Sequence, residues 1–179
     1  MQGVIFDELE KYALSVVGQV GMVGIRDQTG RADGYRLDAT YPDDEVVAIV
    51  QCLVEATGRP LEQIVEEFGA AAVPGLLDVY GFLVNPRWSF MDFLLNTESV
   101  IHRGVKLHTP YAQPPALQVE RAGPGSVAIT YRSERRLCGL AKGIIRGAAS
   151  HYGVEITISE DRCMLRGDPA CLITVSGEE

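Results

Sequence analysis

The sequence lacks an excess of positive charge. Its 179 residues include 16 Lys and Arg against 24 Asp and Glu, which gives a formal net charge of −8. Proteins that bind nucleic acid or an anionic membrane surface need basic patches to meet the phosphates. We therefore expect neither nucleic acid nor a membrane as a partner.

The sequence also lacks a long apolar run and a basic amino terminus. No stretch approaches 18 uncharged apolar residues, and the first eight residues include Asp7 and Glu8 but no Lys or Arg. Transmembrane helices and secretory signal peptides need those features. We therefore expect a cytoplasmic protein. Its four cysteines are then reduced thiols or metal ligands rather than disulfides.

Repeats and low-complexity segments are absent as well, and the length suits one domain. Helical apolar spacing covers most of the chain before residue 108 and recurs over 137–148. Residues 88–107 are predicted to form one long helix, and Gly18 to Tyr41 a loop with a short helix or two. Strand alternation covers 117–119, 127–131, 154–159 and 172–175. The pattern predicts an α+β fold with a four-stranded antiparallel sheet that one helix interrupts.

A histidine projects from the predicted long helix. His102 lies on its apolar flank, near the directions of Met91 and Leu95. An imidazole there can bind a metal through one ring nitrogen while a hydrogen bond holds the other. A core histidine with satisfied hydrogen bonds fits the same pattern, so both interpretations stay open on this residue alone.

Three polar side chains follow the second predicted strand on one face. Tyr131, Ser133 and Arg135 alternate with Arg132 and Glu134. A phenol, a hydroxyl and a guanidinium in a row suit a pair of carboxylates or a phosphate. Solvated side chains at a strand end are the alternative.

Three glycines form a row along the predicted helix that follows. Gly139, Gly143 and Gly147 are spaced by four residues. Each costs ~1 kcal/mol against alanine in a helix interior, so the row indicates close approach to the backbone. A neighbouring strand or helix explains it as well as a flat ligand does.

Cysteines near the carboxy terminus form another candidate site. Cys163 and Cys171 flank a predicted turn, and Cys138 precedes them on the helix. Three thiolates are the kind of ligand set that selects zinc. Glu160, Asp161 or water could supply a fourth ligand, and free reduced thiols are the alternative.

Taken together, these residues resemble the heme nitric oxide/oxygen binding (H-NOX) family, which is related to the sensory domain of soluble guanylate cyclase. The resemblance covers the chain from Met1 to about Val175. The motif Tyr-x-Ser-x-Arg begins 29 residues after the helical histidine. The segments that carry the resemblance are MQGVIF (1–6), YPDDE (41–45), FMDFL (90–94), VIH (100–102), PP (114–115) and YRSER (131–135).

The resemblance implies a single H-NOX-like domain over 1–179 that encloses heme b. It has a helical subdomain over about 1–63 and a heme-ligating subdomain over about 64–179. His102 is then the proximal iron ligand, and Tyr131, Ser133 and Arg135 hold the heme propionates. The other pocket residues that it implies are Ile5, Leu9, Pro115, Leu140 and Ile144, of which Ile5 and Pro115 press on the macrocycle.

The resemblance also implies a gas ligand. Oxygen-binding members carry a distal tyrosine nine residues after the motif tyrosine, where this chain has Leu140. Bound oxygen needs a hydrogen-bond donor, so nitric oxide is expected to bind, carbon monoxide more weakly, and oxygen not at all. Release of the iron from His102 would then signal to a separate partner, in bacteria typically a histidine kinase or a cyclic dinucleotide enzyme.

Two other functions remain compatible with the sequence. A zinc or thiol redox regulator would use Cys138, Cys163 and Cys171. Cysteines at these places hold zinc in a subset of the family, although the histidine that completes that set is not evident here. A heme enzyme such as a peroxidase needs a distal acid/base where this chain has Leu140. We therefore predict a sensor rather than an enzyme.

Overall fold

The computed structural model describes residues 1–31, 33–109 and 111–177. The helices and strands within these ranges follow one another in the order that the apolar spacing predicts. The α-helices are α1 (Gly3–Thr29), α2 (Asp43–Thr57), α3 (Leu61–Ala71), α4 (Val73–Tyr80), α5 (Phe90–Asn96), α6 (Arg103–His108) and α7 (Cys138–Tyr152). The strands are β1 (Ala116–Gly123), β2 (Ser126–Arg132), β3 (Ile156–Arg162) and β4 (Cys171–Gly177). Two short 3-10 helices cover Gly81–Leu83 and Met164–Arg166, and a π-helical segment covers Thr97–His102.

The four strands form one antiparallel sheet in the order β1-β2-β4-β3. A tight turn joins β1 to β2, as predicted, and Gly125 in that turn has a φ of 63°. The register places Tyr131 of β2 between Leu117 of β1 and Cys171 of β4. The predicted α+β fold with a four-stranded antiparallel sheet is confirmed.

Helix α1 extends further than the sequence predicts. Its backbone breaks at Gly18, with φ 67° and ψ −177°, and then continues as helix to Thr29. The segment from Gly18 to Tyr41, predicted as a loop with a short helix or two, therefore begins with a helical part that continues α1 to Thr29. Only one turn of the second part is anchored, by the buried Met22 and Ile25, while Val20 is 88% exposed. Exposed valines and glycines hid the helical period in this segment.

The predicted long helix over 88–107 consists of three parts. α5 begins with a capping box between Ser89 and Asp92, the π-helical segment follows, and α6 completes the run. A π segment adds a residue to the turn, so side chains after it no longer follow the 100° spacing of those before it. The predicted direction of His102 relative to Met91 and Leu95 therefore does not hold.

Helices α3 and α7 pack backbone against backbone. A Cβ at Gly143 would overlap the carbonyl oxygen of Glu66, and one at Gly147 would lie 2.5 Å from the Ala70 oxygen. A Cβ at Gly139 would lie 3.4 Å from its nearest neighbour, a side-chain carbon. A neighbouring helix therefore explains the close approach at the row of glycines, and the alternative of a flat ligand is wrong for it.

The buried apolar side chains form two clusters. The first joins α1, α2 and α3 and includes Leu140 of α7. The second joins the sheet to α5 and α7. None of the described helices combines the length and the apolar character that a membrane crossing needs.

Candidate functional site

A large cavity lies where the two clusters meet. Its volume is about 620 Å³, within the range of pockets that hold cofactors. Its wall comes from α1, α4, α5, the π-helical segment, the sheet and α7, and most of it is apolar. Eight of the predicted site residues line it: Ile5, His102, Pro115, Tyr131, Ser133, Arg135, Leu140 and Ile144.

Leu9 is placed elsewhere. It is fully buried in the helical cluster, which it shares with Leu53 and Phe68. Leu9 follows Ile5 by four residues, which carries it about 6 Å further along α1. The structure therefore places Leu9 in the helical core and not among the described residues of the cavity wall, contrary to the prediction.

His102 ends the π-helical segment and lines the cavity with a side chain that is 15% exposed. Burial lowers the pKa of His102 below 6.5 and outweighs the opposing hydrogen bond with Glu98. The imidazole is therefore neutral at pH 7, which is the form that binds metals.

Glu98 is a partner of His102 that the sequence analysis missed. His102 Nδ1 lies 2.8 Å from Glu98 Oε2, and the same oxygen accepts a hydrogen bond from the backbone N–H of Leu117 at 3.2 Å. Burial raises the pKa of Glu98, but these two hydrogen bonds and the charge of Lys106 give a net downward shift. A carboxylate can only accept, so Nδ1 carries the proton in this pair.

The polar end of the cavity holds Tyr131, Ser133 and Arg135. Tyr131 is 2% exposed, and burial raises its pKa, so its hydroxyl remains protonated. The predicted strand face is wrong beyond Arg132, where β2 ends. A turn follows, in which the backbone N–H of Arg136 donates to the backbone carbonyl oxygen of Ser133 at 3.1 Å. The three side chains nevertheless line the same cavity.

Arg135 is held by two groups that sequence analysis did not find. Its Nε donates to Asp43 Oδ2 at 2.6 Å, and its Nη1 donates to the Gln113 backbone oxygen at 2.8 Å. Asp43 also accepts from the Met1 amino nitrogen at 2.7 Å. Burial raises the pKa of Asp43, but the Met1 ammonium and Arg135 lower it overall. The start of α2 is thus joined to the guanidinium at the cavity edge.

Apolar side chains of α7 form another part of the wall. Leu140 and Ile144 line the cavity, and Ile5 of α1 lines it as well. Two polar side chains that the sequence analysis missed also line it, Gln2 and Tyr80, and Gln2 Nε2 donates to the Tyr80 hydroxyl at 3.1 Å.

The three predicted cysteines form a separate buried cluster. Cys138 Sγ lies 3.6 Å from Cys163 Sγ, and Cys171 Sγ lies 3.9 Å from Cys163 Sγ. A carboxylate oxygen of Glu160 joins them, so that the four ligand atoms lie within 4.8 Å of one another. Burial raises the pKa of Cys138 to about 12, so its thiol is protonated at pH 7.

A sequence profile of the family described as Haem-NO-binding matches residues 2–160. No curated protein sequence matches the chain.

Solved structures match over the whole chain. An H-NOX protein from S. oneidensis in the Fe(II)NO ligation state is 27% identical, with 100% of both chains covered and a TM-score of 0.93. The NMR structure of an H-NOX domain from Shewanella oneidensis in the Fe(II)CO state is also 27% identical, covering 100% of this chain and 99% of that one at a TM-score of 0.90. An Fe(II) unliganded H-NOX protein from K. algicida, 20% identical over 100% and 97% of the two chains, shares the fold at a TM-score of 0.86.

The profile match extends over most of the chain and includes His102 and the Tyr131 to Arg135 motif. The structural matches extend over all of it. The chain therefore belongs to the Haem-NO-binding, or H-NOX, family and has the fold of its heme-based gas sensors.

Proposed function

We propose that this protein binds heme b in the cavity and senses nitric oxide, with His102 as the proximal ligand. The observation that carries the proposal is that one apolar cavity of about 620 Å³ is lined both by a neutral histidine and by Tyr131, Ser133 and Arg135. A heme needs an axial base, an apolar envelope and donors for two propionates. These residues fit that group.

The roles within the cavity follow from the side chains. Nδ1 of His102 is engaged by Glu98, which leaves Nε2 as the nitrogen for iron. The guanidinium of Arg135 and the hydroxyls of Tyr131 and Ser133 would hold the propionates. Ile5 and Pro115 would contact the macrocycle.

Gas selectivity would follow from Leu140. Bound oxygen needs a hydrogen-bond donor, and an aliphatic side chain cannot supply one. Nitric oxide binds ferrous heme without such a donor. We therefore propose that nitric oxide binds, carbon monoxide binds more weakly, and oxygen is excluded.

Signalling would be a conformational change rather than a reaction, and we propose no enzyme activity. When bound, the heme would supply an iron that binds the gas, and His102 would hold that iron and carry the effect of gas binding to its helix. The helical part, about 1–63, would then shift against 64–179, and the contacts of Asp43 with Arg135 cross that boundary. A separate partner, a histidine kinase or a cyclic dinucleotide enzyme, would detect the shift.

Reconstitution with hemin tests the proposal. The reduced protein is expected to show a ferrous Soret band that shifts when nitric oxide is added and stays in place in air-saturated buffer, apart from slow oxidation. His102→Ala is expected to weaken heme uptake by more than roughly 10- to 100-fold. That is the loss of affinity that follows when only a hydrogen-bond partner of a metal ligand is removed, and here the ligand itself is lost. Absorption titration with hemin measures both.

His151→Ala is the matched control, because His151 is an exposed histidine on α7. It is expected to bind heme as the wild type does. A protein that takes up no heme, or whose heme spectrum is the same with and without His102, contradicts the proposal.

We also propose a zinc site at the cysteine cluster, on one specific observation. Glu160 Oε1 is buried without a hydrogen-bond partner among the described residues, and a Glu160 oxygen lies within 4.8 Å of three thiol sulfurs. Three thiols and a carboxylate are a donor set that binds zinc. Zinc must displace protons from these thiols, so its affinity is expected to rise with pH. A zinc or thiol redox regulator remains the alternative function if heme does not bind.

Metal analysis tests this site. The wild type is expected to bind about one zinc per chain, and Cys163→Ser to bind none, because Cys163 lies between the other two thiols. Cys52→Ser is the control, since Cys52 lies in α2, outside the cluster. A wild type that stays free of zinc after incubation with the metal shows that these are simple thiols.

A further inference from the structure

Glu98 is placed to act on the cavity through His102. It begins the turn that ends at His102, and the carboxylate oxygen Oε2 lies 2.8 Å from Nδ1. A uniform α-helix was predicted here, so the π-helical turn comes from the structure. Insertions of this kind in helices occur frequently at functional sites.

The carboxylate is held on more than one side. Oε2 also accepts from the Leu117 backbone N–H at 3.2 Å, and Oε1 lies 3.4 Å from Lys106 Nζ. Glu98 is therefore fixed against the start of β1, where Leu117 is the second residue of the strand. The imidazole thus has a charged acceptor at Nδ1.

A charged acceptor has a different effect from a neutral one. A carboxylate draws the Nδ1 proton toward itself and makes the other ring nitrogen a stronger electron donor, whereas a carbonyl does so less. A stronger axial donor strengthens the bond to iron and stabilises the ferric over the ferrous state. Lys106 opposes this effect, because its charge attracts electron density from the same carboxylate.

We propose that Glu98 is a positioning residue that sets the donor strength of His102, and through it the strength of the iron–histidine bond and the gas response. This rests on the proposed function, in which His102 binds heme iron. The stronger the bond, the larger the fraction of nitric oxide-bound protein in which His102 stays attached. Glu98 thus raises the threshold at which the conformational change begins.

Isosteric substitution tests the proposal. Glu98→Gln keeps an oxygen that can accept from His102 and Leu117 but removes the charge. In the heme-loaded ferrous protein it is expected to shift the iron–histidine stretching band in resonance Raman spectra to lower frequency. The ferric/ferrous potential is expected to shift to more positive values. The fraction of nitric oxide-bound protein that has lost its histidine bond is expected to increase.

Two further variants separate charge from structure. Lys106→Met removes the opposing cation and is expected to shift the band and the potential in the opposite direction. Glu62→Gln changes an exposed glutamate on α3 and is expected to change neither. In the apo protein, NMR of the His102 ring is expected to show the Nδ1-protonated tautomer in the wild type and a weaker preference for it in Glu98→Gln.

The outcomes are distinct. A folded Glu98→Gln with a wild-type band and potential shows that Glu98 only ties the π-helical turn to β1, and overturns this proposal alone. A Lys106→Met protein that shifts in the same direction as Glu98→Gln overturns it as well. If the wild type shows no band that depends on His102, both this proposal and the proposed function fail.

Discussion

Replacing Leu140 with tyrosine is expected to give the heme-loaded protein an oxygen affinity about 10- to 100-fold above that of the wild type, since a hydrogen bond to a charged acceptor contributes roughly 1.5–3 kcal/mol. Leu140 lies in the first turn of α7, is 9% exposed and lines the cavity. Its backbone packs closely against α3, because the Leu140 carbonyl oxygen would lie 2.5 Å from a Cβ at Gly69, and its side chain is the part that reaches the cavity. A tyrosine there is therefore directed into the cavity, where its hydroxyl can donate to bound oxygen.

Leu140→Phe is the matched control for this prediction. Phenylalanine adds the same ring without the hydroxyl, so it changes the volume of the cavity but adds no donor. Oxygen titrations of the ferrous wild type and both variants, followed by absorption, measure the effect. Equal oxygen affinity in Leu140→Tyr and Leu140→Phe would contradict the hydrogen-bond argument. Strong oxygen binding by the wild type would contradict it as well, and would direct attention to Tyr80 and Gln2, which also line the cavity.

The sequence was sufficient for the parts of the site that depend on local pattern. The sheet follows from alternation, and the turn between β1 and β2 follows from its glycines and proline. His102 and the Tyr131 motif were identified as candidates from the chemistry of their side chains, and the resemblance joined them into one site. The structure places these side chains in one cavity wall.

The sequence was not sufficient for partners that come from distant elements. Asp43 and Arg135 are 92 residues apart, and the Glu98 carboxylate reaches Leu117 across 19 residues. Such pairs depend on how elements pack, which periodicity does not encode. Glu98 could have been found, because it precedes His102 by four residues, a spacing at which helical side chains meet. The extension of α1 beyond Gly18 was hidden because only one of its turns is buried.

The row of glycines shows how packing sets the position of the cavity wall. α7 contributes Leu140 and Ile144 to the cavity, and its glycines contact the backbone of α3. Gly69 of α3 and Gly143 of α7 meet directly, because a Cβ on either residue would lie 2.9 Å from the Cα atom of the other. Any side chain at this contact must separate the two helices.

Replacing Gly143 with alanine is therefore expected to lower the free energy of unfolding by about 2 kcal/mol or more. Overpacking a core costs roughly 1–3 kcal/mol, and here the upper end applies, because the new methyl group meets the Glu66 carbonyl rather than a side chain that can change rotamer. The higher helix propensity of alanine returns only ~1 kcal/mol. At about 2–4 °C per kcal/mol, Tm is expected to fall by at least about 4 °C.

Gly139→Ala is the control for this prediction, because it lies in the same row of the same helix. The new Cβ would lie 3.4 Å from Val65 Cγ1, which is an ordinary contact with a side chain. Its stability is expected to stay within about 1 kcal/mol of the wild type, with any change toward greater stability, because alanine favours the helix. Thermal unfolding of the apo and heme-loaded proteins by circular dichroism measures both variants. If Gly143→Ala unfolds at or above the wild-type Tm, α3 can move away from α7 at little cost, and the two helices do not fix the cavity wall.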